Sequence, residues 1–184
     1  MVEVEIKLKI DSVDSVINKL KDLGFIEGDV FIESDTYFDN KNSDIRLSDK
    51  AVRIRETVNQ TTYERYYQLN FKDKKYDNVS MTRPEYETRF DDANSMVMIL
   101  KGLGYSPVDP KVIKLRRLLK TSEINACIDT VEGLGDYLEL ESVVLSEDIK
   151  DEKLSKINSI LSELGYSIND TTTTSYLSAL QNIS

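Results

Sequence analysis

Histidine and tryptophan are both absent from this 184-residue chain. The absence of histidine excludes Ser-His-Asp and Cys-His nucleophilic arrangements, and it removes the usual zinc sites as well. Any chemistry must therefore use carboxylates, lysine, arginine, tyrosine or a hard metal ion that is bound by oxygen.

Cysteine, positive charge and long apolar runs are also scarce. The single cysteine, Cys127, excludes a disulfide within the chain, and no stretch is typical of a signal peptide or a membrane span. We therefore expect a cytoplasmic protein of a reducing compartment with no membrane partner. The net charge of -9 gives no general attraction for nucleic acid, so an anionic ligand would need a local basic cluster.

The chain has no Pro/Gly/Ser-rich linker, and we expect one domain over residues 1–184. Apolar residues at helical spacing predict helices over 11–24, 91–104 and 146–165 and a shorter one at 175–181. Alternating segments predict strands over 34–40, 51–57, 62–72, 82–90, 112–120, 124–131 and 137–145. Two aperiodic stretches, 40–50 and 73–80, are interpreted as mobile loops.

The predicted strands carry one charged face each. In the first strand, Glu3, Glu5 and Lys7 lie on the face opposite Val4 and Ile6. The same alternation recurs at Arg53 and Arg55, at Gln68, Asn70 and Lys72, at Arg83, Glu85, Glu87 and Arg89, at Lys114 and Arg116, at Asp129, and at Glu139 and Glu141. Such faces fit either a sheet that exposes its charges to water or a barrel that turns them inward.

The residue types on these faces favour the barrel. Arginine is concentrated there and the acids occur as same-face pairs. Two like charges roughly 7 Å apart on a strand repel by about 2 kcal/mol at an effective dielectric constant of about 20. Paired acids in a confined space therefore need a cation, and Mg²⁺ or Mn²⁺ would serve. A polyphosphate would satisfy both the metal and the guanidinium groups.

The first strand, "VEVEIKL", resembles the Glu-x-Glu-x-Lys strand of the CYTH superfamily, the triphosphate tunnel metalloenzymes. This superfamily includes class IV adenylyl cyclases and thiamine triphosphatases. Further matching motifs follow in order: "DTYFD" (35–39), "VRIR" (52–55), "FK" (71–72), "TRPEYET" (82–88), "KLR" (114–116) and "DTVEGLGDYLELE" (129–141). Together they extend over nearly the whole chain.

The resemblance implies an α+β fold, with an eight-stranded antiparallel β-barrel and helices packed on its outside. It implies a tunnel that binds a triphosphate with Mg²⁺ or Mn²⁺. The metal-side acids it implies are Glu3, Glu5, Asp129, Glu139 and Glu141. Glu85 and Glu87 match a family strand whose acids either touch the metal or pair with cations of the tunnel, and of the two Glu87 is favoured as a metal contact. The implied phosphate-binding residues are Lys7, Arg53, Arg55, Lys72, Lys114 and Arg116, with Arg83 as an addition, and the implied catalytic residues are Lys7, Glu5 and Glu139.

The reaction stays open between several alternatives at this point. A class IV adenylyl cyclase-like enzyme, a lyase that converts ATP to cyclic AMP and pyrophosphate, ranks first. A hydrolase of tripolyphosphate or an organic triphosphate ranks second, although the absence of tryptophan counts against thiamine triphosphate. The two remaining alternatives are a module that binds a triphosphate or a nucleotide without turnover and a solvent-exposed sheet with no site. Related cyclases suggest a homodimer.

Overall fold

A computed structural model describes residues 2–77, 80–144 and 150–183. Its eight strands are β1 (Val2–Lys9), β2 (Ile26–Asn40), β3 (Ala51–Asn59), β4 (Arg65–Lys72), β5 (Arg83–Phe90), β6 (Tyr105–Lys120), β7 (Asn125–Val131) and β8 (Gly135–Val144). They pair in the antiparallel sense and close in the order β1-β5-β4-β3-β2-β6-β7-β8. The eight-stranded antiparallel barrel is therefore confirmed.

Five α-helices accompany the barrel: α1 (Val13–Asp22), α2 (Asp44–Leu47), α3 (Ala93–Gly102), α4 (Lys150–Glu163) and α5 (Tyr176–Ile183). The four helices predicted from periodicity are confirmed as α1, α3, α4 and α5, although residues 146–149 of the third prediction lie outside the described part of the chain. Ser12 caps α1, where its Oγ accepts a hydrogen bond from the Ser15 N–H at 3.3 Å.

The interpretation of 40–50 as a mobile loop was wrong for residues 44–47, which form α2. The carboxylate of Asp39 accepts hydrogen bonds from the N–H groups of Ile45 and Arg46, both at 3.1 Å. A side chain at the end of β2 therefore orders a helix that is too short to show apolar periodicity.

The apolar face of β1 explains why its charges point inward. Val4, Ile6 and Leu8 are fully buried in a cluster with Leu20 of α1 and Ile157 of α4. Since helices cover this outer face, the alternation of the strand turns Glu5 and Lys7 toward the barrel interior.

Strands β2 and β6 are longer than the sequence predicts, with 15 and 16 residues. Prolines within 105–111 weaken the strand signal there. The ladder between β2 and β6 is interrupted between Val108 and Val112, so Pro110 lies where the regular ladder is absent. Among the described helices, none combines the length and the apolar character needed to cross a membrane.

Candidate active site

The barrel encloses a cavity of about 460 Å³. The walls come from β1 to β6 and β8, from α2, and from residues 173–178 near the C-terminus. The cavity wall includes these residues proposed from the sequence: Glu3, Glu5, Lys7, Arg53, Arg55, Lys72, Arg83, Glu87, Lys114, Arg116, Glu139 and Glu141. The charged strand faces therefore converge on one interior space. Asp129 is absent from this wall.

One part of the wall is rich in acids. Lys72 Nζ lies 2.5 Å from Glu3 Oε2, 2.9 Å from Glu85 Oε2 and 3.8 Å from Glu5 Oε2. Burial raises the pKa of Glu3 well above its usual value, and the negative charges of Glu5 and Glu85 add to this effect against the opposing attraction of Lys72. Burial also acts on Glu85, but Lys72 and a hydrogen bond from Glu3 hold its pKa below the usual value. This part of the cavity carries more carboxylates than Lys72 alone can neutralise.

Glu141 and Glu139 of β8 lie opposite Glu5 and Lys7 of β1. Burial raises the pKa of Glu141, and the nearby charges of Glu5 and Glu139 add to it. Burial opposes the ionisation of Glu139, but its ion-pair partner Arg116 acts together with Lys114, Lys7 and Lys72 to lower the pKa of Glu139. Arg116 attracts both acids, but only Glu139 is in ion-pair contact with it among the described residues, whereas burial and the charges of Glu5 and Glu139 dominate at Glu141.

Glu87 lies at an exposed position where two amides donate to it. Gln68 Nε2 and Asn70 Nδ2 are both 3.1 Å from Glu87 Oε2, and Asn70 also donates to Glu85 Oε1 at 3.1 Å. Glu87 therefore has neutral hydrogen-bond donors, whereas Glu85 contacts Lys72 directly.

Asp129 lies behind the cavity wall and is completely buried. Lys114 Nζ is 2.8 Å from its Oδ2, Arg116 donates to Oδ1 at 2.7 Å and to Oδ2 at 2.6 Å, and the Tyr176 hydroxyl donates to Oδ2 at 3.1 Å. Burial opposes ionisation, but Arg116 and Lys114 hold the pKa of Asp129 below its usual value. This position favours a role in fixing two cations over the metal-side role that the family resemblance implies.

Two buried acids of β2, Glu33 and Asp35, were missed as site residues. Arg55 forms a two-point contact with Asp35, at 2.7 Å from Nε to Oδ1 and 2.8 Å from Nη2 to Oδ2, and Arg53 reaches Oδ2 at 3.1 Å. Glu33 lies 3.0 Å from Arg55 Nη1 and 3.3 Å from Lys114 Nζ. The predicted strand began at residue 34, so the same-face pair of acids was not recognised.

Two buried cations of the wall lack a carboxylate partner among the described residues. Lys7 is 2 % exposed, and burial together with the charges of Lys114 and Lys72 lowers its pKa, against the attraction of Glu139 and Glu5. Arg83 donates only to the carbonyl oxygen of Asp49, at 3.5 Å, and its buried Nε has no partner. These two side chains are therefore available to an anionic ligand.

The acids of the wall fit a divalent cation that arrives with a phosphate ligand. Within the described residues, no group of three or more carboxylates or thiols is gathered as a ready metal cage. Mg²⁺ is usually held by one or two carboxylates together with phosphate oxygens. Burial and neighbouring acids raise the pKa values of Glu3 and Glu141. A divalent cation would relieve the repulsion between these acids.

The closed antiparallel barrel, with charged side chains around its interior cavity, places this chain in the class of barrel proteins with a tunnel-like interior. The chain belongs to the CYTH domain family, because the family model matches residues 1–176.

Known proteins resemble this chain over nearly its whole length. A Methanocaldococcus jannaschii protein named as a candidate adenylate cyclase is 38% identical over 177 residues, which are 96% of this chain and 97% of the relative. The solved PH1819 protein of Pyrococcus horikoshii is 30% identical and covers 99% of both chains with a TM-score of 0.88. A candidate adenylyl cyclase of Hippeastrum, described with a dominant triphosphatase activity, has a TM-score of 0.65 at 19% identity, over 98% of this chain and 95% of its own.

Proposed function

We propose that this chain is a metal-dependent enzyme that binds a triphosphate in the barrel cavity and converts ATP to cyclic AMP and pyrophosphate. The observation that carries the proposal is the pair of buried cations without a carboxylate partner among the described residues, Lys7 and Arg83. A cavity of about 460 Å³ is within the range of small-molecule sites. The name of the M. jannaschii relative favours the cyclase reaction.

In this reaction the ribose 3′ oxygen forms a bond to the α-phosphorus, and the bond from that phosphorus to the bridging oxygen breaks. Pyrophosphate leaves with that oxygen, and the hydroxyl proton is released. The positive charges of Lys7, Arg83 and the other wall cations would stabilise the negative charge that grows on the leaving oxygen. Either a carboxylate of the cavity or Lys7 in its neutral form would accept this proton.

Glu3, Glu5, Glu139 and Glu141 would hold Mg²⁺ or Mn²⁺, with Glu87 as a further contact at the rim. When bound, the ion would neutralise charge on the triphosphate and act as a Lewis acid at the phosphoryl oxygens. Asp129 would act from behind the wall through Lys114 and Arg116.

The second candidate function is hydrolysis of tripolyphosphate or an organic triphosphate. It would use the same cations, with water as the nucleophile and the terminal phosphorus as its target. The triphosphatase activity described for the Hippeastrum protein, which has a similar fold, favours this alternative.

³¹P NMR with Mg²⁺ or Mn²⁺ tests both functions, with ATP and tripolyphosphate in separate samples. We expect cyclic AMP and pyrophosphate from ATP. Orthophosphate released mainly from tripolyphosphate would establish the hydrolase and overturn the cyclase. The absence of turnover with every metal and substrate would leave only a binding module.

Glu5→Gln links this activity to the cavity. The substitution removes one negative charge without changing the shape of the side chain, and we expect it to abolish metal-dependent turnover with the fold intact. Glu27→Gln is a matched control, since Glu27 pairs with Lys21 on the outer surface. Full activity in Glu5→Gln would contradict the metal assignment.

A further inference from the structure

The segment that precedes α5 is attached to the edge of β1 beside Lys7. The Thr172 N–H donates to the carbonyl oxygen of Lys7 at 2.8 Å, and Thr171 forms an isolated antiparallel bridge with Leu8. Gln181, later in α5, donates to the carbonyl oxygen of Asp109 at 2.8 Å. These contacts bring the first residue of α5, Tyr176, into the cavity wall.

The ring of Tyr176 is held in a defined orientation. Its hydroxyl donates to Asp129 at 3.1 Å, and the ring of Tyr137 packs against it edge-on, with centroids 5.1 Å apart and an interplanar angle of 71°. The ring face is turned to the cations of the wall, since Lys7 Nζ lies 4.4 Å and Lys114 Nζ 5.3 Å from its centroid.

This ring contact accounts for the unusual state of Lys7. Glu139 lies directly opposite Lys7 in the β1–β8 ladder, and Glu5 is on the same face of the same strand. Even so, the Lys7 ammonium forms no ion pair with any residue of the described ranges. The face of an aromatic ring attracts a cation without using its N–H donors. The ring therefore holds the ammonium while its hydrogen-bond donors stay available.

We propose that Tyr176 is a positioning residue, whose ring holds the Lys7 ammonium apart from the neighbouring carboxylates and directed at an incoming phosphate group. The proposal rests on the proposed function, because a triphosphate is the anion that Lys7 would meet. It assigns a binding role to the C-terminal segment, which the sequence motifs of the barrel strands leave out.

A double-mutant cycle on tripolyphosphate affinity tests the proposal, measured by isothermal titration without divalent metal so that no turnover occurs. We expect Tyr176→Leu to weaken binding by about tenfold, the size of a desolvated cation–ring contact. Tyr176→Phe keeps the ring and should restore most of the affinity. In a Lys7→Met background, Tyr176→Leu should cause a much smaller loss, since Lys7 is the nearer of the two ammonium groups over the ring.

The matched control is the Arg83→Met background, because Arg83 has no contact with the ring among the described residues. There Tyr176→Leu should cost the same factor of about ten as in the unmodified protein. Equal losses in the Lys7→Met and Arg83→Met backgrounds would overturn the proposal, because the ring would then act on the ligand or on the fold and not through Lys7.

The ligand-free protein provides an independent measurement. A methylene group beside an ammonium that lies over a ring face experiences the ring current, so the ¹H resonance of the Lys7 ε-CH₂ should be shifted upfield. The shift should persist in Tyr176→Phe and vanish in Tyr176→Leu. Its absence from the unmodified protein would overturn the ring contact, whereas a failure to bind tripolyphosphate with the shift present would overturn the proposed function alone.

Discussion

Two sets of cations line the same cavity, and they differ in what neutralises them. Lys114 and Arg116 share the buried carboxylate of Asp129 at hydrogen-bond distance. Lys7 and Arg83 lie in the same wall with no carboxylate partner in the described ranges of the chain. One set is neutralised before any ligand arrives, and the other is not.

This difference separates cations that hold the barrel together from cations that await a ligand. A buried ion pair has satisfied its charges within the fold, and removing one partner leaves a costly uncompensated charge. An unpaired buried cation destabilises the empty protein, and an anionic ligand can recover that free energy. The two sets should therefore respond in opposite ways to substitution.

The largest effect is expected at the paired set. Asp129→Asn removes the carboxylate charge that Lys114 and Arg116 share and leaves the side-chain shape almost unchanged. We expect the free energy of unfolding to fall by about 3 kcal/mol, because two buried cations lose the buried carboxylate that they share and keep only Glu33 and Glu139. Urea denaturation of the ligand-free protein measures this, and tripolyphosphate should restore part of the loss.

Glu123→Gln is the matched control for this substitution. Glu123 also accepts from two lysines, Lys153 at 2.5 Å and Lys156 at 2.6 Å, but these contacts lie on the surface. The substitution should therefore change the stability little. A similar response in both variants would show that burial does not distinguish the two clusters.

An intermediate effect is expected at the unpaired set. Lys7→Met and Arg83→Met should each weaken tripolyphosphate binding by about tenfold or more, the size of a charge-assisted hydrogen bond. The free energy of unfolding should stay the same or rise in Lys7→Met, because a buried unpaired charge is replaced by an apolar chain of similar length. Calorimetric titration measures the affinity for tripolyphosphate, and urea denaturation measures the free energy of unfolding.

Lys101→Met serves as the control, since Lys101 is exposed on α3. This substitution should change neither the affinity for tripolyphosphate nor the free energy of unfolding. Lower stability in Lys7→Met with unchanged affinity would reverse the comparison and make Lys7 a structural residue.

The alternation of the strands could be predicted because its signal is local. A strand period of two, with charges on one face and apolar residues on the other, shows which side chains share a face without reference to any partner. That the charged faces turn inward was favoured by the residue types, and the eight-stranded barrel was implied by the family resemblance. Glu5, Lys7, Arg116 and Glu139 therefore reach the cavity as the sequence indicates.

The pairing of charges could not be predicted, because it depends on contacts between distant segments. Arg55 takes Asp35 as its partner because strand register sets the two directly opposite each other. Lys7 meets Tyr176 because a segment near the other end of the chain pairs with β1. Periodicity carries no information on either contact. Which cations have a carboxylate partner is therefore determined only when the strands close into the barrel.

The smallest effect concerns the two acids of β8, and it extends the comparison from cations to carboxylates. Burial beside Glu5 raises the pKa of Glu141 above its ordinary value of 4.5, so the folded state binds a proton there more readily than the unfolded state. The stability that this group contributes is therefore lost as the pH rises from about 4.5 through the raised pKa. The free energy of unfolding of Glu141→Gln should decline less over this pH range than that of the unmodified protein. The variant should also be the more stable of the two at pH 8 in EDTA.

Glu139 should behave in the opposite way, although it is only two positions away on the same strand. Arg116 lowers its pKa, so its contribution is present above about 4.5 and is lost as the pH falls through the lowered pKa. Glu139→Gln also leaves Arg116 with one carboxylate fewer, and we expect lower stability at pH 8. Thermal unfolding of both variants at pH 5 and pH 8 decides this. If Glu141→Gln is also less stable at pH 8, its carboxylate is not in excess, and the argument that this wall needs a metal cation loses its support.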